Sequence, residues 1–161
     1  MANQKIKIEV ENYGTITAEL YPDKAPNTVK NFVELIEKGF FSGKIFHRII
    51  EGFMIQGGGY DIDFNHHEAK SIRGEFRANG FSQNDIKHTR GVLSMARTSD
   101  PNSASSQFFI MHEDAPHLDG QYAAFGCVTE GIEVVDKIAG VRTGYGDCPI
   151  APVVIKKMEI I

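Results

Sequence analysis

Between residues 5 and 20 the chain alternates in character. Ile6, Ile8 and Val10 are apolar where Lys7, Glu9 and Glu11 are polar, and after Asn12-Tyr13-Gly14 the alternation resumes with Ile16, Ala18 and Leu20. A period of two collects one set of side chains on one face of a strand, so this stretch predicts a β-hairpin with one buried face. The period then lengthens. From about Pro26 to Lys38, Val29, Phe32, Val33 and Ile36 fall at i, i+3, i+4 and i+7, the stripe of an amphipathic helix. Pro26 suits its first turn and Gly39 the position just past its end.

Short strand-like runs follow at Ile45–Ile49, Phe53–Gln56, Gly91–Ala96, Gln107–Met111 and Phe125–Thr129, separated by polar, Gly-containing stretches at 57–90 and 97–106. A second helix is predicted from about Ile132 to Ala139, with Val134, Val135 and Ile138 apolar and Gly140 closing it. Pro152–Ile161 is β-branched and is expected to return to the sheet. Many short strands with only two helices predict a mainly β protein, a closed or nearly closed antiparallel sheet capped at its ends. With no repeat, linker or low-complexity tract, one domain over residues 1–161 is expected.

Composition narrows the class without naming an activity. The chain is 42% hydrophobic and 24% charged, the balance of a soluble globular protein. A net charge of −4 argues against general affinity for nucleic acid or anionic membranes. No apolar run approaches the ~20 residues of a membrane span, and Met1–Lys7 lacks the apolar stretch of a signal peptide. A cytoplasmic protein is therefore the expectation. Cys127 and Cys148 form no paired-cysteine motif, and Cys127, within Phe125-Gly126-Cys127-Val128, reads as a small buried thiol.

Several strings resemble chemical motifs only superficially. Gly57-Gly58-Gly59 lacks the following Lys-Ser/Thr of a phosphate loop and reads as a glycine-rich strand exit. No Gly-x-Ser-x-Gly elbow activates the run Ser103–Ser106. His66-His67-Glu68 has no second ligand group at a recognised spacing, and His88 and His112 suggest metal binding still less. No metal and no cofactor are expected.

One segment is far more specific. Phe46-His47-Arg48-Ile49-Ile50-Glu51-Gly52-Phe53-Met54-Ile55-Gln56-Gly57-Gly58 closely resembles the signature of the cyclophilin family of peptidyl-prolyl cis–trans isomerases. Leu93-Ser94-Met95-Ala96 with Ser106-Gln107-Phe108-Phe109-Ile110 resembles the family's other site segment, and Leu118-Asp119-Gly120 with Phe125-Gly126 a third, all in order. The likeness covers essentially residues 5–161 and is greatest to short bacterial cytoplasmic members. It implies a closed eight-stranded antiparallel β-barrel with a helix over each end.

The implied chemistry suits a chain without a nucleophile. An X–Pro bond rotates over a barrier of ~18–20 kcal/mol because rotation destroys amide resonance, and no covalent bond is made or broken. At the twisted transition state the prolyl nitrogen regains its lone pair, which a fixed guanidinium can stabilise. The resemblance assigns that role to Arg48, with Gln56 and Phe109 completing the catalytic set. It assigns substrate binding to Phe53, Met54, Ala96, Arg97, Thr98, Gln107, His117, Leu118 and Tyr122. Alternation places Met54 and Gln56 on one strand face with Ile55 on the other, and likewise sends Phe108 and Phe109 to opposite sides. His47, next to Arg48, then points away as a support residue.

Departures from the family pattern carry their own expectations. His117 stands where many eukaryotic members have the Trp that contacts cyclosporin, and the chain contains no Trp, so weaker cyclosporin binding is expected. Tyr122 replaces a frequent His, Arg97-Thr98 replaces the common Asn-Ala, and Tyr60–Ala69 lacks the usual glycine cluster, leaving that loop's shape open. The expected partners are proline-containing peptides and unfolded protein chains, bound by a monomer. A proline-peptide binding module or chaperone with little turnover would use the same groove; Arg48 favours the enzyme.

Overall fold

The computed structural model describes residues 3–161. Its first two strands, β1 (Gln4–Val10) and β2 (Gly14–Leu20), pair in register from Gln4 opposite Leu20 to Val10 opposite Gly14. Ile6, Ile8, Val10, Ile16, Ala18 and Leu20 are all buried, the face that the alternation predicts. Helix α1 (Pro26–Glu37) follows, then β3 (Arg48–Ile50), β4 (Met54–Gly57), β5 (Val92–Met95), β6 (Phe108–Met111), β7 (Ala124–Glu130), helix α2 (Ile132–Ala139) and β8 (Ile155–Ile160). The strands form one antiparallel sheet in the order β3-β4-β6-β5-β7-β2-β1-β8.

The expected closed barrel is corrected by this order: the sheet is open and curled, a half-barrel whose edge strands β3 and β8 share no ladder. Short segments bridge the seam. Phe46 donates its N–H to Val153 O at 2.9 Å, Gly43 to Ile155 O at 2.8 Å, and Ile155 returns one to Lys44 O at 2.8 Å. The contact ends at Pro152, which has no N–H to give, and β3 begins only at Arg48.

Phenylalanine rings fill the inside of the curl. Phe32, delivered by α1, lies 4.8 Å from both Phe41 and Phe125 and 5.3 Å from Phe108, centroid to centroid, in tilted and edge-on arrangements. Ile55, Phe108 and Ile110 face this core, so Met54, Phe109 and Met111 face the other side of the sheet, where they form a second, smaller apolar cluster with Leu118 and Val92.

Helix α1 lacks a local side-chain cap, Ala25 standing at its N-cap. The cap comes from far along the chain. The Glu75 carboxylate, 1% exposed, accepts N–H bonds from Thr28 at 2.7 Å and Asn27 at 3.2 Å, plus the Thr28 hydroxyl at 2.7 Å. A carboxylate here meets both the orphan donors and the positive end of the helix dipole. Asn84 fastens the same segment by donating to Glu75 O and Ala124 O at 2.8 and 2.9 Å. Replacing Glu75 with Ala leaves buried donors unpaired, and we expect a loss of roughly 2–3 kcal/mol in urea unfolding; an unchanged midpoint would show that the cap is dispensable.

Candidate active site

The outer face of β3, β4, β6 and β5 carries one continuous row. Arg48 is registered opposite Gln56, Gln56 opposite Phe109, and Phe109 opposite Ser94. Cross-strand partners sit close enough for their side chains to interact directly. Arg48, exposed at the rim, approaches Gln56 Oε1 with Nη1 at 3.4 Å, while Gln56 Nε2 donates to Gln107 Oε1 at 3.1 Å. The two amides thus set the orientation of the guanidinium. Gly59 makes room for this pairing, since a Cβ there would lie 2.5 Å from the Gln107 amide nitrogen.

Beside this row is a cavity of about 120 Å³ lined by Arg48, Phe53, Met54, Gln56, Ala96, Arg97, Phe109, Leu118 and Tyr122. Its size is near the ~150 Å³ that accepts a single benzene ring in an apolar cavity, which suits one ring of a bound peptide. Of the remaining residues expected at the site, Thr98 and Gln107 line an adjoining cavity of about 180 Å³ that shares Gln56, Ala96 and Arg97 with the first. His117 is exposed at the rim, its ring 5.8 Å from that of Phe53, and does not line the first cavity.

Arg97 divides the two cavities. Its guanidinium lies over the rings of Phe76 and Tyr122, 4.9 and 4.7 Å from their centroids, and donates to Thr98 O and Gln121 O at 2.9 and 2.8 Å. Cation–π contact with two rings helps to hold it in place. Phe76 follows Glu75, so the remote helix cap also positions this wall.

The second cavity includes residues not expected at the site: His66, Glu68, Ser103 and Ser105. Their loops have no hydrophobic period, and local polar contacts shape them instead. Asp61 closes the 60–69 loop by accepting N–H bonds from Asp63 and Asn65 at 2.9 and 3.0 Å and meeting His67 Nε2 at 2.8 Å. The His67 contact and the two N–H bonds hold the Asp61 carboxyl down at about 2. Cys127, expected to be buried, is half-buried, and burial raises its thiol pKa.

His47, next to Arg48 in sequence, is half-buried. It packs against Tyr60 at 4.7 Å, and its Nδ1 is buried with no hydrogen-bond partner among the described residues. Burial, reinforced by Arg48 and His66, lowers its pKa from 6.5 to about 4.

The fold and groove define a class: a mainly β half-barrel presenting a peptide-sized cleft, with one ring-sized pocket lined by aromatic, aliphatic and guanidinium groups. Residues 5–160 match the family described as cyclophilin type peptidyl-prolyl cis-trans isomerase/CLD. The chain is 43% identical over 170 residues to a peptidyl-prolyl cis-trans isomerase of Acinetobacter baylyi, covering 99% of this chain and 87% of that one. It is 41% identical to peptidyl-prolyl cis-trans isomerase B of Escherichia coli, over 92% and 95% of the two chains. The crystal structure of a Cryptosporidium parvum cyclophilin type isomerase superposes with a TM-score of 0.84 at 31% identity, covering 99% of this chain and 98% of that one. The chain belongs to the cyclophilin-type peptidyl-prolyl isomerase family.

The His47 environment generates a test. Because its folded pKa lies below its unfolded one, the unfolded chain takes up the proton first on acidification. This group's contribution to stability is present above pH 6.5 and is lost as pH falls towards 4. In urea unfolding at pH 7 and pH 4.5, His47→Phe is expected to lose less stability between the two than the parent. Equal losses would mean His47 is not held neutral by the fold.

Proposed function

We propose that the chain accelerates rotation about X–Pro peptide bonds by seating the prolyl ring in the 120 Å³ cavity and directing Arg48 at the amide nitrogen. The observation that carries this is the row Arg48–Gln56–Phe109, which puts an oriented cation at the rim of a ring-sized cavity partly walled by Phe53, Met54, Phe109 and Leu118. Phe53, Met54, Phe109 and Leu118 supply the dry walls, and a solved Cryptosporidium relative was crystallised in the presence of the dipeptide Ala-Pro. The neighbouring cavity takes chain on the same side of the substrate as Arg97 and Gln107.

In the planar ground state the prolyl nitrogen shares its lone pair with the carbonyl and accepts poorly. As the bond twists, the pair localises and becomes an acceptor for Arg48, so the interaction strengthens where the barrier is highest. A thousandfold acceleration needs about 4 kcal/mol, and one charge-assisted hydrogen bond supplies ~1.5–3 kcal/mol. The apolar grip on the ring, with the carbonyl side free to turn, provides the remainder. A module that only bound proline peptides would need the cavity but not the cation.

The same reading assigns a monomer acting on unfolded, proline-containing chains in the cytoplasm. Both cysteines are free, the state that a reducing compartment maintains.

Arg48→Ala is expected to lower kcat/KM at least tenfold in an exchange NMR assay on an X–Pro peptide, with the melting temperature unchanged because the side chain is exposed. Arg48→Lys should recover little, since a flexible ammonium lacks the planar fork that Gln56 orients. Full activity in Arg48→Ala would leave a binding module as the better reading. At the rim, His117→Trp should tighten cyclosporin binding by enlarging the ring beside Phe53; equal affinity in a titration would place the weakness elsewhere.

A further inference from the structure

Behind the wall of the first cavity lies a buried polar chain that the isomerisation step does not use. His88 is 1% exposed. Its Nδ1 is 3.3 Å from Asp119 Oδ1 and its Nε2 is 2.8 Å from Ser94 Oγ. The same Asp119 oxygen accepts the His88 backbone N–H at 2.6 Å. A carboxylate can only accept, so the network assigns the ring proton to Nδ1 and leaves Nε2 to accept from the Ser94 hydroxyl.

The sequence carboxylate, imidazole, hydroxyl has the order of a nucleophilic triad. It cannot serve as one, because Ser94 is fully buried and lines neither cavity, leaving no route for a carbonyl to reach its oxygen. What the imidazole does touch is the cavity wall. Its ring is nearly parallel to Phe109, 23° apart with centroids at 6.1 Å, and edge-on to Tyr122 at 6.5 Å. Phe109 and Tyr122 meet each other edge to face at 5.8 Å. Both partners of the imidazole also belong to wall elements. Ser94 is the cross-strand partner of Phe109, and Asp119 directly follows Leu118.

We propose that His88 is a positioning residue for isomerisation: held between Asp119 and Ser94, it fixes Phe109, Tyr122 and the Leu118 turn at the spacing that seats the prolyl ring beneath Arg48. This inference rests on the isomerase reading given above. Two hydrogen bonds set the ring's plane, and that plane sets Phe109, which has its own backbone partner in Gln56 and so reports directly to Arg48. The groups facing the imidazole are Asp119 and, from the same turn, the charge of His117; burial lowers its pKa, Asp119 opposes that shift and His117 adds to it. The neutral form that the hydrogen bonds require is thus the one burial favours.

The test is a double-mutant cycle on the intact protein, read as kcat and KM from exchange NMR on an X–Pro peptide per folded molecule. His88→Phe keeps a flat ring but loses both hydrogen bonds, and its kcat should fall roughly tenfold, with KM changing less, because misplacement weakens transition-state alignment more than apolar contact. His88→Gln, which offers an amide donor and a carbonyl acceptor, should recover part of the loss. In an Arg48→Ala background the same His88→Phe change should cost less than twofold, since there is no longer a cation to align with. Equal fold-losses in both backgrounds would overturn the proposal and leave His88 a structural residue, as would a folded His88→Phe protein with parental kcat. If His88→Phe does not fold, Ser94→Ala removes one hydrogen bond while keeping the imidazole, and must show the same dependence on Arg48. An inactive parent protein would instead sink the isomerase reading, which separates the two failures.

Discussion

Phe108 and Phe109 are neighbours in sequence, and the core and the candidate site both depend on their pointing in opposite directions. Phe108 is buried among Phe32, Phe41 and Phe46, with ring centroids 5.3 to 5.9 Å away. That packing fixes the register of β6, because a slip of one residue would turn Phe108 out of the core and put Phe109 into it. Ile55 imposes the same constraint on β4. With both inner residues fixed, Met54, Gln56 and Phe109 are fixed on the outer face, and β3 then has one register that puts Arg48 opposite Gln56. Core packing and the site are therefore two faces of one decision. The row Arg48–Gln56–Phe109 is precise because the phenylalanine cluster behind it is dense.

The irregular segments solve a different problem. More than thirty residues between β4 and β5 have little regular hydrogen bonding, yet they must hold the second half of the groove. Buried or oriented polar groups provide the order that a ladder would otherwise give. Glu75 joins this stretch to α1, Asn84 joins it to β7 through Ala124, and Asp61 closes the 60–69 loop on itself. Each carboxylate or amide makes several bonds at once, which is why these few side chains suffice. Their effect reaches the cleft through Phe76, on whose ring Arg97 lies.

This division explains what could be read from the chain. The hairpin, both helices and the opposite facing of Phe108 and Phe109 follow from periods of 2 and 3.6, so they were visible as patterns. The strand-like runs agree with the strands to within a few residues at each end, and one of the largest differences, β3 starting at Arg48 rather than Ile45, lies where the chain leaves the sheet to bridge the seam. The open seam itself had no local signature, since it depends on where residues 43–46 and 153–155 stop exchanging hydrogen bonds. The cavity-lining residues were nameable through a long motif, not through periodicity, which treats Phe53 or Leu118 like any core residue. His66 and Glu68 stood in plain view but read only as a metal decoy, because their place beside Gln107 is set by the Asp61 turn. His88 looked least informative of all. Its partners are 6 and 31 residues away, and no spacing rule connects them.

Arg48 is held loosely by the standards of a structural arginine, and the proposed role in catalysis gives a reason. Its contact with Gln56 is 3.4 Å, and among the described residues it forms no ion pair, although the chain as a whole is acidic with a net charge of −4. A carboxylate in bidentate contact would hold the guanidinium more firmly but would also neutralise its field and occupy the donors needed by the substrate. A neutral amide orients without competing. Gln56 in turn is fixed by Gln107 rather than by a charge, so nothing in the chain from Gln107 to Arg48 diminishes the cation. Arg97, whose guanidinium is spent on two rings and two backbone carbonyls, shows the alternative. One arginine is built into the wall and the other keeps its donors free at the rim, and the difference lies in how many partners the fold has given each.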